Sequence, residues 1–134
     1  NRPKLGQLLF SSEEMRYQSA EIQGKIIREE LAAKRDCLAK EEDVFFMDIP
    51  LLFENDYQDW FDQIWLVAVS PQVQCQRLMK RNHLSAEEAG MRIASQMPLA
   101  EKLPYASLVI DNNGNIDDLK KKVKGAIKDL ANLV

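Results

Sequence analysis

One carboxylate closes an apolar run. Asp48 follows Val44-Phe45-Phe46-Met47 and stands two residues before Pro50. A carboxylate emerging from the carboxyl end of a core strand is placed to hold a magnesium ion, directly or through water, beside a nucleotide's phosphates. Aspartate is also a common turn residue, and position alone does not choose between the two. The second set of residues is cationic. Arg77 and Arg81 are four apart and so share one face of a helix, and Arg92 falls on the next helix across Asn82-His83-Leu84. A guanidinium offers planar donors that fit phosphate oxygens, and a mobile helical hairpin carrying several of them can close over a triphosphate. For any one arginine taken alone, solvated helix charge with Glu87 and Glu88 nearby is the simpler reading. His83 reads as a loop residue, because no second histidine or cysteine keeps metal spacing with it.

These side chains need elements to carry them. Ser11-Ser12-Glu13-Glu14 has the form of a capping box, with Ser11 accepting and Glu14 reaching back, and Met15, Ile22, Ile26 and Leu38 recur near helical period to about Lys40. Residues 44–49 and 64–69 are apolar without alternation, which is how strands covered on both faces read. Ser70-Pro71 then opens a helix to about Arg81, and Ser85 with Glu88 opens another to about Gln96. Residues 106–110 form a third short apolar strand, leading into Asp111-Asn112-Asn113-Gly114, a turn signal. Ile116, Leu119, Val123, Ile127 and Leu130 mark a last amphipathic helix. Two-sided strands alternating with helices predict an α/β fold with a parallel sheet flanked by helices. In such a sheet ligands sit at the carboxyl ends of the strands, where Asp48 is expected.

Composition narrows the function classes. With 134 residues, 46% hydrophobic and 29% charged, the chain is one ordinary globular domain. A formal charge of -3 supplies no general field for a polyanion, which argues against nucleic acid and anionic membranes as partners. Cys37 and Cys75 form no metal or redox pattern, and no apolar run is long enough to span a bilayer. These features predict a soluble, cytoplasmic protein. The opening Asn1-Arg2-Pro3, without an initiator methionine, hints that an upstream part is missing. A phosphate-binding Gly-rich loop is not found either. The nearest match, Ser19 to Ile26, fails at the first glycine and at the final hydroxyl, and it lies within a helical pattern.

Taken in order, Asp48-Ile-Pro-Leu-Leu-Phe-Glu54, Arg77-Leu-x-x-Arg81, Ser85-x-Glu-Glu-Ala with Arg92-Ile-x-x-Gln96, and Val109-Ile-Asp-Asn-x-Gly114 resemble the dephospho-CoA kinases. The resemblance covers the chain to about residue 119. It implies a P-loop kinase that passes the γ-phosphate of ATP to the ribose 3'-hydroxyl of dephospho-CoA, with Mg2+ as cofactor. By residue, it implies that Asp48 is an active-site acid near magnesium and that Arg81 is the lid arginine facing the transferring phosphoryl group. It makes Arg77 and Arg92 further phosphate contacts, and Asn112, Asn113 and Gly114 the loop that packs on adenine. Residues 1–40 resemble the family's helical substrate domain, with Arg2 and Arg28 at positions often basic, and 41–134 the remaining kinase core with a lid at about 77–98. The His-Pro pair usual after an isoleucine in that domain is replaced here by Gln23-Gly24 after Ile22.

The P-loop and the aspartate thought to act as base would both lie upstream of Asn1, so the resemblance is to the C-terminal two-thirds of the enzyme and the chain alone is expected to be inactive. The three strands would be the third, fourth and fifth of a sheet whose first strand lies between the first two of them. Its absence would expose strand edges and invite self-association. Two other readings stay open: a different P-loop kinase for small molecules or nucleotides, and a non-catalytic interaction module that never had a P-loop.

Overall fold

A single long helix, α1, runs over Glu13–Glu41. Its cap is Ser12, whose hydroxyl accepts from the Met15 N–H at 3.3 Å. That corrects the expected capping box by one residue. Ser11 lies outside the described residues, and the residue three beyond Ser12 is Met15, which has no carboxylate to return. Glu13 and Glu14 in the first turn and Lys40 in the last suit the helix dipole. The apolar positions expected on one face are present, but Ile22 and Ile26 are exposed and no residue of α1 is buried. This computed structural model describes residues 4–5 and 12–133. The chain divides into two units, Asn1–Asp48 and Ile49–Val134.

The expected strand at 44–49 is not formed. A strand is defined by its ladder, and these residues carry none. The two-sided burial expected of them also fails, because Val44 is 41% and Phe46 58% exposed. Half-buried Phe45 and Met47 alternate with exposed Val44, Phe46 and Asp48, the period of a segment with one covered side.

In the second unit, residues 50–56 form a compact turn. Leu51 and Asp56 both adopt left-handed backbone, each with φ 57°, a conformation that costs an L-residue about 1 kcal/mol. The bend is held by the Asn55 N–H to Leu51 O at 3.1 Å and the Tyr57 N–H to Leu52 O at 3.0 Å. It turns Phe53 and Tyr57 inward, at 7% and 4% exposure. Phe53 meets Tyr105 with ring centroids 5.8 Å apart, and Tyr57 meets Trp60 edge to face at 4.7 Å.

Strands β1, Trp65–Ala68, and β2, Leu108–Asp111, pair in parallel with Trp65 opposite Leu108 and Ala68 opposite Asp111. Parallel neighbours need a long crossover, here made by three helices. The first, α2, spans Pro71–Asn82 and is capped by the Ser70 hydroxyl. His83, left-handed at φ 54°, ends it with its N–H on Met79 O. The second, α3, spans Ala86–Ala94 and opens on the expected capping box: the Glu88 N–H donates to Ser85 Oγ at 3.2 Å and the Ser85 N–H to Glu88 Oε2 at 2.8 Å. The two helices pack on one another, and Ala89 of α3 is fully buried. The short α4, Leu99–Lys102, and a 3-10 turn at Leu103–Tyr105 lead into β2. The last helix, α5, spans Ile116–Ala131, is capped by Asn115 and packs on β2. Among the described residues no helix is long and apolar enough to cross a membrane.

Candidate functional site

The turn after β2 is tied to several elements of the second unit at once. It starts as an Asx turn: Asp111 Oδ1 accepts from the Asn113 N–H at 2.8 Å and also from the Asn113 side-chain amide. The ladder continues into it through the Asn112 N–H to Ala68 O at 2.8 Å. Two helices then hold its carbonyls. Arg77 of α2 donates from Nη1 to Asn112 O at 2.7 Å and from Nη2 to Gly114 O at 2.9 Å. Lys122 of α5 donates to Asp111 O at 2.9 Å and to Asp111 Oδ2 at 3.2 Å. The turn answers by accepting the Ser70 N–H on Asn113 Oδ1 at 2.7 Å, at the very start of α2. A Cβ at Gly114 would stand 3.0 Å from Asp118 Oδ2, a tight contact that the exposed Asp118 side chain would have to relieve by shifting a few tenths of an ångström.

The electrostatics follow these contacts. The Asn113 N–H, then the Lys122 ammonium and the Asn113 amide, hold the Asp111 carboxyl below its ordinary range. Glu88 is likewise lowered, chiefly by the backbone and hydroxyl of Ser85, with the charge of Arg92 adding to the same direction.

Arg81 lies one helical turn beyond Arg77. It is exposed and its Nε donates to the adjacent Asn82 Oδ1 at 2.9 Å. Among the described residues its two terminal nitrogens take no hydrogen-bond partner, so its forked end is available. Arg92 sits in the last turn of α3, also exposed. The structure therefore brings Arg77 together with Asn112 to Gly114, and places Arg81 and Arg92 on two helices packed against each other. Arg77 spends its fork on backbone carbonyls, a different use from the phosphate contact expected of it. Asp48 and Arg28 are exposed residues of the other unit, Arg28 within α1. Arg2 lies outside the described residues.

The sequence profile of the dephospho-CoA kinases matches residues 1–118. The chain belongs to the dephospho-CoA kinase family. It is 98% identical over its whole length to a dephospho-CoA kinase of Streptococcus thermophilus, spanning 68% of that protein, and 58% identical over 98% of its length to one of Streptococcus pyogenes, spanning 67%. Its fold is similar to that of the solved dephospho-CoA kinase of Campylobacter jejuni, with a TM-score of 0.75 and 27% identity over 97% of this chain and 65% of that one. The chain thus spans about two thirds of the length of these family members.

The ion pair between Lys102 and Glu54 escaped the sequence reading. Lys102 Nζ lies 2.8 Å from Glu54 Oε1 at an angle that misses a hydrogen bond, and donates to Oε2 at 3.4 Å. Both side chains are largely covered, at 15% and 19% exposure, and the ammonium stands 6.0 Å from the Phe53 ring centroid. The pair ties the turn at 50–56, which carries the family's Pro-Leu-Leu-Phe-Glu block, to α4. Glu54 was quoted in that block, but nothing in the spacing to Lys102, 48 residues on, signals the partner.

Proposed function

We propose that the protein this chain belongs to transfers the γ-phosphate of ATP to the ribose 3'-hydroxyl of dephospho-CoA, completing coenzyme A. The observation that carries the reading is the turn at 111–114, fastened to the same helix that presents Arg81 one turn further on. A base resting on a rigid turn sets where its phosphates fall, and phosphoryl transfer is mostly a matter of such positioning and of charge stabilisation. Arg81 neutralises the transferring phosphoryl group, and Arg92 supports it from α3, residues 77–98 acting as the lid. Residues 1–40, with Arg2 and Arg28, hold the dephospho-CoA side. The remaining core completes an ATP site with a P-loop, in a cytoplasmic enzyme.

The donor chemistry fits magnesium. That ion keeps several waters and takes one or two carboxylates together with substrate phosphates. An exposed Asp48 can meet that demand, directly or through water. A dedicated protein cage is not required, and among the described residues no group of three or more His, Cys, Asp or Glu could form one. When bound, the ion draws negative charge off the phosphate oxygens.

The test is an acceptor panel with the whole-length protein and Mg-ATP. Turnover with dephospho-CoA and none with nucleoside monophosphates is expected; preference for a nucleoside monophosphate would replace this reading with that of a nucleotide kinase.

A further inference from the structure

Ser70, Arg77 and Arg81 lie close to one line along α2, because seven residues make nearly two full turns and four make slightly more than one. The turn at 111–114 docks along this line at two points. At the first, the Ser70 N–H meets Asn113 Oδ1 at 2.7 Å; at the second, the Arg77 fork spans the carbonyls of Asn112 and Gly114 at 2.7 and 2.9 Å. Lys122 of α5 donates to the carbonyl of Asp111 at 2.9 Å. Three carbonyls of one short turn thus point at cations supplied by two helices. The turn's remaining bonds include the Asx turn onto Asp111 Oδ1 and the Asn112 N–H to Ala68 O at 2.8 Å, and it is exposed apart from Asn112 and buries no large apolar side chain, so the Arg77 fork is its main tie to the body of α2.

We propose that Arg77 is a positioning residue for nucleotide binding: its guanidinium locks the 111–114 turn onto α2, so that the base-contacting turn and the phosphate-facing Arg81 move as one body. The proposal rests on reading Asn112 to Gly114 as the turn that meets the base. A fork with fixed spacing is what bridges two carbonyls two residues apart; a lysine ammonium reaches one of them or sits between both. The function of Arg77 is then to hold geometry, and its loss acts first on ATP affinity.

The experiment compares Arg77→Ala and Arg77→Lys with the parent in the whole-length kinase, by amide hydrogen exchange and by steady-state kinetics. In Arg77→Ala the amides of Ser70 and Asn112, which report the two sides of the docked turn, should exchange at least tenfold faster. KM for ATP should rise fivefold or more while kcat stays within threefold. Arg77→Lys should fall between, and its retained charge and length guard against misreading a variant that simply fails to fold. Unchanged exchange at both amides overturns the proposal. So does faster exchange with KM for ATP unmoved, which would make the clamp purely structural. A fall in kcat with KM and exchange unmoved would instead make Arg77 a phosphoryl contact. The exchange readout is independent of the reaction, so a kinase that ignores dephospho-CoA would sink the functional reading while leaving the clamp itself measurable.

Discussion

Arg77 and Arg81 are the same residue type on the same helix, one turn apart, yet the structure uses them in opposite ways. The fork of Arg77 is committed to two backbone carbonyls. Arg81 bonds only through Nε, to its neighbour Asn82, among the described residues. A committed guanidinium stabilises a shape, whereas an uncommitted one keeps its hydrogen-bonding capacity for a ligand. The same contrast separates the turn at 111–114, braced by β1, α2 and α5, from the exposed arginines at the far ends of α2 and α3. In the proposed reading the braced turn fixes where a ligand lies, and the uncommitted guanidinium of Arg81, carried on the same helix, is left to meet it.

The sharpest way to break this comparison is to remove Arg81. In the whole-length kinase Arg81→Ala should lower kcat by about 100-fold or more, with KM for ATP changing far less. Arg81→Lys should recover only part of that, because a point charge lacks the planar fork. Near-normal turnover of Arg81→Ala would put it on a par with a surface charge. A second large effect concerns the 134-residue chain by itself, whose sequence lacks a complete G-x-x-x-x-G-K-[ST]. Calorimetric titration with Mg-ATP should show no tight binding, and a micromolar or better dissociation constant would mean that the braced turn and the arginines suffice.

Smaller effects test the bracing of the rest of the unit. Lys102→Met leaves the largely covered Glu54 carboxylate without its partner and should cost about 1 to 3 kcal/mol in chemical denaturation, less than for a fully buried pair. Adding Glu54→Leu should return part of that loss, since both charges are then gone. Ser85→Ala removes the capping box of α3 and should cost about 1 kcal/mol. The smallest effect is acidic. The folded pKa of Asp111 lies below its unfolded value of about 3.9. Its stabilising contribution is therefore complete at neutral pH, begins to fall as pH drops below the unfolded value, and is gone once pH has fallen through the lowered folded value. Carboxyl carbon shifts should show Asp111 titrating below the ordinary aspartate range, and Lys122→Met should move it upward.

What was legible in the sequence was what local chemistry specifies. Ser70-Pro71, Ser85 with Glu88, and the Asp-Asn-Asn-Gly turn each encode their own geometry within a few residues, and each appears where expected. The order of motifs gave the family. The strand at 44–49 was misread because an apolar run reports only that something covers it, while a strand also requires a neighbour to pair with. The cap of α1 was misplaced because two adjacent serines offer the same hydroxyl. The Arg77 clamp and the Lys102–Glu54 pair were out of reach, since each joins residues more than thirty positions apart and the pattern of neither side chain names the other.

In the proposed site one braced turn takes the base while the adjoining helix end takes the phosphates. Amide shift mapping of the whole-length kinase, first with adenosine and then with Mg-ATP, separates the two halves of that site. Adenosine should move the amides of Asn112, Asn113 and Gly114 and leave those around Arg81 in place, and Mg-ATP should then move both sets. Adenosine that leaves 112–114 unmoved while shifting another part of the protein would contradict it.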